Sequence, residues 1–491
     1  MSHEPCSHIP SFTGSFRENL EALIAVLEHG DKDPAGKRIG FELERILIDD
    51  QGRTVPFAGE RGVGALIAEL ARSRSESELV YIDGHLLGLD YTFHGELETV
   101  GVTVSLEPAA QLEVSAGPAH SVKALYDAIC AFDAEVERAC AAIGLDASLV
   151  PVGYNPVVSS PLDLELIPKE RYRDMDAYLS RRGRYARDMM RCTASTQVSL
   201  DYEDERDAAR IYRMATLLGP LFAFLFDNAP IFRGEPSPGM ARSRIWHHVD
   251  VDRCGIVPGA LEGLSFEDYI LWVSGVKPIL FTDAEHVTTS TGDCYTRDIM
   301  SNRPLEPAEL MHLLSMVFPN VRLKGFVELR EMDSLPPRLA AACTSFTGAL
   351  FYDKCLEQKL AEHLRDYLPH GFAGMDENDA VVARLHLEEQ GWDAQVYGMP
   401  VEALVDAMVA VACENVALGC GCTGIGKDEP ASVTVPVVRE TGPASAFDLE
   451  GIQMLAQLWG NRLLPRDETA RELGNELGCV HKNRELLAHG A

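Results

Sequence analysis

The sequence predicts an α+β protein: a mainly antiparallel sheet flanked by helices, with a helical C-terminal part. Four separated stretches alternate oily and polar residues with the two-residue period of a half-buried strand. They are 39–48 (IGFELERILI), 111–115 (QLEVS), 196–201 (TQVSLD) and 326–330 (FVELR). Helical patterns stand beside these strands without alternating strictly with them, which disfavours a doubly wound parallel fold. The 491 residues are 46% hydrophobic and 24% charged, an ordinary globular composition with ample apolar material for a core.

The elements follow in order. Ser15-Phe-Arg-Glu18 has capping-box spacing and opens a helix through about residue 29. The first strand follows, and Asp49-Asp-Gln-Gly52 predicts a hairpin turn into a strand at 54–57. Residues 63–73 read as a helix. Several short strands between 80 and 115 are broken at Asp83-Gly84, His94-Gly95 and Glu107-Pro108. A long helix at 120–144 sets Leu125, Ile129, Phe132, Val136 and Cys140 on one buried face. Another spans 204–226, closed by Asn228-Ala-Pro230, and residues 236–257 read as a loop rich in Arg, His and Asp. Helices are expected at 306–318, 337–367, 400–418 and 449–464, with a glycine-containing hinge at 370–378. The predicted division is a catalytic domain over 1–370 and a mainly helical part over 371–491.

Strand geometry then places the polar side chains. Glu42 and Glu44 share a face, as do Gln111, Glu113 and Ser115; Gln197, Ser199 and Asp201; and Glu328 and Arg330. A sheet that gathers these faces makes an acidic trough. Two carboxylates roughly 7 Å apart repel by about 2.4 kcal/mol at an effective dielectric near 20. Bound cations would remove that cost, and hard oxygen ligands suit magnesium. Solvated strand faces more often carry Thr, Lys or Arg; here Glu and Gln dominate, which favours chelation.

A net charge of −31 disfavours nucleic acid and acidic membrane surfaces as partners. Arginines near Arg171, Arg242 and Arg322 could still grip a small anion such as ATP. No apolar run is long enough to cross a membrane and no signal-peptide pattern opens the chain. Twelve cysteines without paired spacings predict a reducing compartment, read here as the cytoplasm. Gly421-Cys-Thr-Gly-Ile-Gly426-Lys427 imitates a phosphate loop, but Asp428 stands where Ser or Thr should be, so it reads as a surface loop. Cys420 and Cys422 lack two further ligands, and the adjacent His247 and His248 would face opposite ways on an extended segment. In that segment Arg242, Arg244 and Arg253 are the better candidates for gripping carboxylates or phosphates.

The motifs together resemble the plant-type glutamate–cysteine ligases. Glu42-Leu-Glu44 is similar to the family's first metal-binding strand. Ser105-Leu-Glu-Pro-Ala-Ala-Gln-Leu-Glu-Val-Ser115 resembles its Leu-Glu-Pro-Gly-Gly-Gln-Phe-Glu-Leu-Ser segment. Pro168-Lys-Glu-Arg-Tyr172, Thr196-Gln-Val-Ser-Leu-Asp201 and Leu225-Phe-Asp-Asn-Ala-Pro230 match further segments in the family's order. So do Arg242-Ser-Arg-Ile-Trp246 with Asp252-Arg253, and Arg322-Leu-Lys-Gly-Phe-Val-Glu-Leu-Arg330. The resemblance covers roughly residues 38–345. The chain departs at Ala109-Ala110, where the family has a glycine pair, at Cys192, where an arginine is usual, and at Glu331-Met-Asp333, where small residues turn the chain.

The resemblance implies a glutamine-synthetase-like catalytic fold and ATP-dependent joining of glutamate's γ-carboxylate to the amine of cysteine. It further implies magnesium held by Glu42, Glu44, Glu107, Glu113 and Glu328, with Gln197 helping. Arg322, Lys324 and Arg330 would meet the phosphates of ATP, with Arg330 and Glu328 catalytic. Arg242 and Trp246 would hold glutamate, and Arg171 and Tyr172 a substrate carboxylate or phosphate. Two rivals stay open: a ligase of the same fold using another amine, and a non-catalytic acidic protein that binds cations. Oligomeric state is not legible.

Overall fold

The computed structural model describes residues 14–30, 36–74, 77–285, 287–417 and 448–473. A nine-stranded sheet organises them. Its strands are β1 (Ile39–Asp49), β2 (Glu78–Ile82), β3 (His85–His94), β4 (Thr99–Leu106), β5 (Leu112–Ala119), β6 (Ala147–Val150), β7 (Thr196–Leu200), β8 (Val321–Leu323) and β9 (Val327–Leu329). The order is β8-β9-β7-β1-β5-β4-β3-β2, with β6 pairing the far end of β1. Every pairing in this sheet is antiparallel. The α+β class and the antiparallel sheet expected from the sequence are both present.

Among the described residues the sheet is accompanied by α1 (Gly14–Glu28), α2 (Val63–Ser73), α3 (Val122–Ala142), α4 (Glu170–Leu179), α5 (Ala186–Cys192), α6 (Glu205–Leu225), α7 (Ala241–Trp246), α8 (Phe266–Ser274), α9 (Thr296–Asn302), α10 (Pro307–Leu314), α11 (Pro337–Phe351), α12 (Leu356–His363), α13 (Glu377–Gln390), α14 (Val401–Ala417) and α15 (Leu449–Gly460), and residues 465–473 are also helical.

Strand alternation separates the two faces of the sheet. Phe41, Leu43, Val114 and Val198 are buried, on a core that α3 and α11 cover. Burying each such side chain contributes about 1.5–3 kcal/mol. The intervening residues Glu42, Glu44, Glu113 and Gln197 therefore project from the opposite face. Helix α6 starts where Asp204 accepts a hydrogen bond from the Asp207 amide at 2.9 Å, and it packs against β8, β9 and α13. Beyond residue 371, α14 and α15 lie against α11, and Trp459 meets Phe346 edge-on at 5.2 Å.

Three expectations are corrected. Residues 54–57 form no strand; one bridge joins Ile48 to Thr54. The helix expected over 337–367 is two helices. Arg210 reaches the carbonyls of Phe351 and Asp353 at 2.8 and 3.0 Å and caps the C-terminal end of α11. The Asp353 carboxylate then accepts from the Cys355 amide as the chain turns into α12. The loop expected over 236–257 contains α7, which begins at Met240 in the left-handed region (φ 48°). The glycine-rich stretch 421–427, with Cys420 and Cys422, lies outside the described residues.

Behind β7, Gly153 faces the buried Asp333. A β-carbon there would sit 2.1 Å from Asp333 Oδ2, and that oxygen is fixed by the Asn228 amide at 2.8 Å. Gly153→Ala is expected to lower stability by about 1–3 kcal/mol. A urea-denaturation midpoint equal to the wild type's would contradict this close packing.

Candidate active site

Register brings the acids together. On β1, Glu42 lies opposite Gln197 of β7 and Ser115 of β5, and Glu44 lies opposite Glu113 of β5. One oxygen from each of Glu42, Glu44 and Glu113 falls within 4.8 Å of the others. At that separation each pair repels by about 3.5 kcal/mol at an effective dielectric near 20. Three such pairs rival the whole stability of a domain. The protein has two ways out, protonation or cation binding, and both leave a mark. Burial, then the charges of Glu107 and Glu42, push the Glu44 carboxyl up to about 8. Burial and the neighbouring carboxylates also raise Glu42 and Glu113. The donors are all hard oxygens, with Ser105 Oγ giving Glu113 a hydrogen bond at 2.9 Å, and this chemistry fits magnesium.

A cationic cluster faces the acidic one. Glu328 on β9 receives Arg322 from β8 at 2.6 Å, Arg330 at 3.0 Å and Lys324 at 3.3 Å. Burial alone would raise the Glu328 carboxyl, but the three cations outweigh it and hold it well below the carboxylate range. Glu328, expected among the metal ligands, lies outside the close trio and pairs with these three cations. Gln197 joins the two clusters. Its amide nitrogen donates to Glu42 at 2.5 Å and Glu44 at 3.1 Å, while its oxygen accepts from Arg330.

Two walls rise from this floor. Between β4 and β5 the chain turns tightly, with the Ala110 amide bonded to the Glu107 carbonyl and Ala110 at φ 67°. That left-handed conformation explains why glycine suits the position. The Ile167 amide bonds the Pro108 carbonyl, which sets the start of α4 beside the turn. Arg171 then lies in the field of Glu107 and, among the described residues, forms no ion pair. Tyr172, expected with Arg171 to meet a substrate carboxylate or phosphate, is tied to this turn. Its hydroxyl donates to the Leu106 carbonyl at 3.1 Å, so it braces the turn, and Lys169 lies over its ring at 4.5 Å. Lys169 is a residue the sequence reading passed over, although it sits in the Pro168–Tyr172 motif.

The second wall is α7. Arg242 is buried, donates to the Arg330 carbonyl at 2.8 Å, and keeps its Nε without a partner. The Arg242 and Arg330 guanidinium groups lie 5.7 and 5.9 Å from the centre of the Trp246 ring, whose Nε1 is also unpartnered. Arg244 and Arg253, grouped with Arg242 from the sequence, are structural. Arg244 holds the Gly239 carbonyl, and Arg253 is fully buried on Asp250 at 2.8 Å. Arg191, next to Cys192, is engaged with Asp176 at 2.8 Å. Near His247 and His248, Asp250 pairs with Arg182 and Arg253, and Asp252 with Arg182.

A family model described as glutamate-cysteine ligase family 2 matches residues 38–412, a span that holds both clusters and both walls. The chain belongs to the glutamate-cysteine ligase family 2. Within this family it is 30% identical to a chloroplastic glutamate–cysteine ligase of Brassica juncea, over 71% of this chain and 67% of the relative. It is 27% identical to glutamate–cysteine ligase B, chloroplastic, of Oryza sativa subsp. japonica (71% and 69%). It is 28% identical to a chloroplastic enzyme of Arabidopsis thaliana (71% and 66%). The chain spans about two thirds of the length of these relatives. Their chloroplastic names overturn the cytoplasmic expectation. Unpaired cysteines indicate a reducing environment, and such environments are not confined to the cytoplasm. No helix among the described residues is long and apolar enough to cross a membrane.

The raised Glu44 carboxyl has a consequence with a definite sign. Between its ordinary value of 4.5 and about 8 the folded protein holds a proton that the unfolded chain has lost. Metal-free protein therefore loses this contribution to stability as pH rises through that interval. Melting temperatures of wild type and Glu44→Gln, followed from pH 5 to about 8.5, are expected to diverge, with the wild type falling further; adding Mg2+ should restore it at the upper end. Parallel curves with no response to Mg2+ would contradict the acidic cluster.

Proposed function

We propose that the chain joins the γ-carboxylate of glutamate to the amine of cysteine with ATP, giving γ-glutamylcysteine, ADP and phosphate. Its sheet then belongs to the glutamine-synthetase-like class. The observation that carries the reading is the contact of two opposite clusters through Gln197, acids on β1 and β5 and cations on β8 and just past the ends of β8 and β9. A carboxylate must approach a polyphosphate in this reaction, and both are anions. Glu42, Glu44 and Glu113, with Glu107 and Gln197 beside them, would hold magnesium, which would supply the positive charge that lets the two anions meet.

The chain's own residues do the remainder. Arg322, Lys324 and Arg330 face the transferred phosphoryl group and offset the charge that builds on it. Glu328 keeps these three cations converged. Arg242 and Trp246, each with a buried donor free, hold glutamate so that its γ-carboxylate points along the trough. Transfer of the γ-phosphoryl group gives an acyl phosphate and ADP. The cysteine amine then attacks the acyl carbon, the C–O bond to phosphate breaks, and the amide forms as the amine loses its proton. Arg171 and Lys169 stand on the opposite wall, placed to receive a phosphate or the carboxylate of the incoming amino acid.

Incubation with ATP, Mg2+, glutamate and cysteine, read by mass spectrometry, should yield γ-glutamylcysteine. Arg330→Ala should lower kcat by about 10²–10³-fold. ADP formation that depends on glutamate but responds to a different amine would replace cysteine as the substrate. No ATP turnover with any amine would leave only a cation-binding protein.

A further inference from the structure

The wall formed by α7 is not self-supporting. A helix of six residues has too few internal hydrogen bonds to persist alone, and this one starts from a left-handed Met240, itself an unfavourable conformation. Something must hold its origin in place. Asp227, buried at the end of α6, accepts the Met240 amide at 2.8 Å and the Ala229 amide at 3.2 Å. Its carboxyl also shares a hydrogen bond with the buried Asp333, three residues beyond Arg330. Two buried carboxyls side by side need counter-charge: Arg242 acts on Asp333, and a second charge, for Asp227, comes from far away in the chain.

That charge is Arg466. Its Nη1 meets Asp227 Oδ2 at 3.0 Å, its Nη2 donates to the Ser237 carbonyl at 3.0 Å, and its amide bonds the Asp227 carbonyl at 3.0 Å. One guanidinium thus grips both ends of the loop that delivers α7. Gly239, at φ 102°, makes the approach possible: a β-carbon there would lie 3.0 Å from Arg466 Nη1. Three residues on, Thr469 donates to Asn228 at 2.7 Å, and Leu473 packs with Ile46 of β1 and Ala194 beside β7. Arg466, Thr469 and Leu473 lie beyond the family-matching residues 38–412.

We infer that Arg466 is a positioning residue for the glutamate pocket: through Asp227 and the 237–240 loop it sets where Arg242 and Trp246 stand. The inference rests on the assignment of Arg242 to glutamate. Arg466 touches no reacting atom, and its side chain is engaged with Asp227 and Ser237 rather than with Arg322, Lys324 or Arg330, so its loss should be felt by one substrate and not the other.

The test uses the full chain and four variants: Arg466→Ala, Arg466→Lys, Arg242→Ala and Arg466→Ala with Arg242→Ala. Arg466→Ala is expected to raise KM for glutamate about tenfold and leave KM for ATP within about twofold. Lysine keeps the charge but cannot fork to Asp227 and Ser237, so Arg466→Lys should fall between; it also carries the test if the alanine variant does not fold. In the Arg242→Ala background the Arg466→Ala change should add nothing to KM for glutamate, because the two act in series. If Arg242→Ala raises that KM while the Arg466 variants leave it unchanged, or if the two effects multiply, the positioning role is overturned alone. If Arg242→Ala leaves it unmoved, the glutamate assignment falls and takes this inference with it.

Discussion

Mutual repulsion among Glu42, Glu44 and Glu113 is the constraint around which the rest of this molecule is arranged. Antiparallel pairing of β5, β1 and β7 leaves the three carboxylates no room to separate, since register sets each opposite or diagonal to the next. The core face of the same strands, filled by Phe41, Leu43, Val114 and Val198, is what makes that register costly to slip. Hydrophobic burial on one side thus maintains electrostatic tension on the other. A bound divalent cation would relieve it.

The second cluster shows why the tension is useful. Arg322, Lys324 and Arg330 converge on Glu328, leaving an excess of positive charge next to an excess of negative charge. Gln197 touches both, and its amide can donate to the acids and accept from Arg330 at once. A triphosphate bound with its cations can lie across this boundary with each part facing opposite charge. In the proposed reaction the two walls would restrict which carboxylate and which amine can approach.

Much of this was legible because strand alternation is a local rule. The IGFELERILI stretch alone places Glu42 and Glu44 on one face, and the QLEVS stretch does the same for Glu113. What stayed hidden depends on contacts between distant residues. The break between α11 and α12 comes from Arg210, which caps carbonyls more than 140 positions away. Helix α7 is too short to show an apolar period, and its origin is held by Asp227 and Arg466, 239 positions apart. Tyr172 reads as a ligand contact by its motif, yet the Leu106 carbonyl engages its hydroxyl. The three guanidinium groups of Arg242, Arg244 and Arg253 look equivalent in sequence; burial and partners single out Arg242.

Calorimetric titration of Mg2+ into metal-free protein near pH 7, repeated in buffers of different ionisation enthalpy, tests the central claim most directly. Carboxyls that are protonated at rest must release protons as the cation enters. Saturable binding accompanied by proton release, both lost in Glu42→Gln, is the expected result. Heat that never saturates, or binding with no proton released, would show that the acidic trough does not work as described.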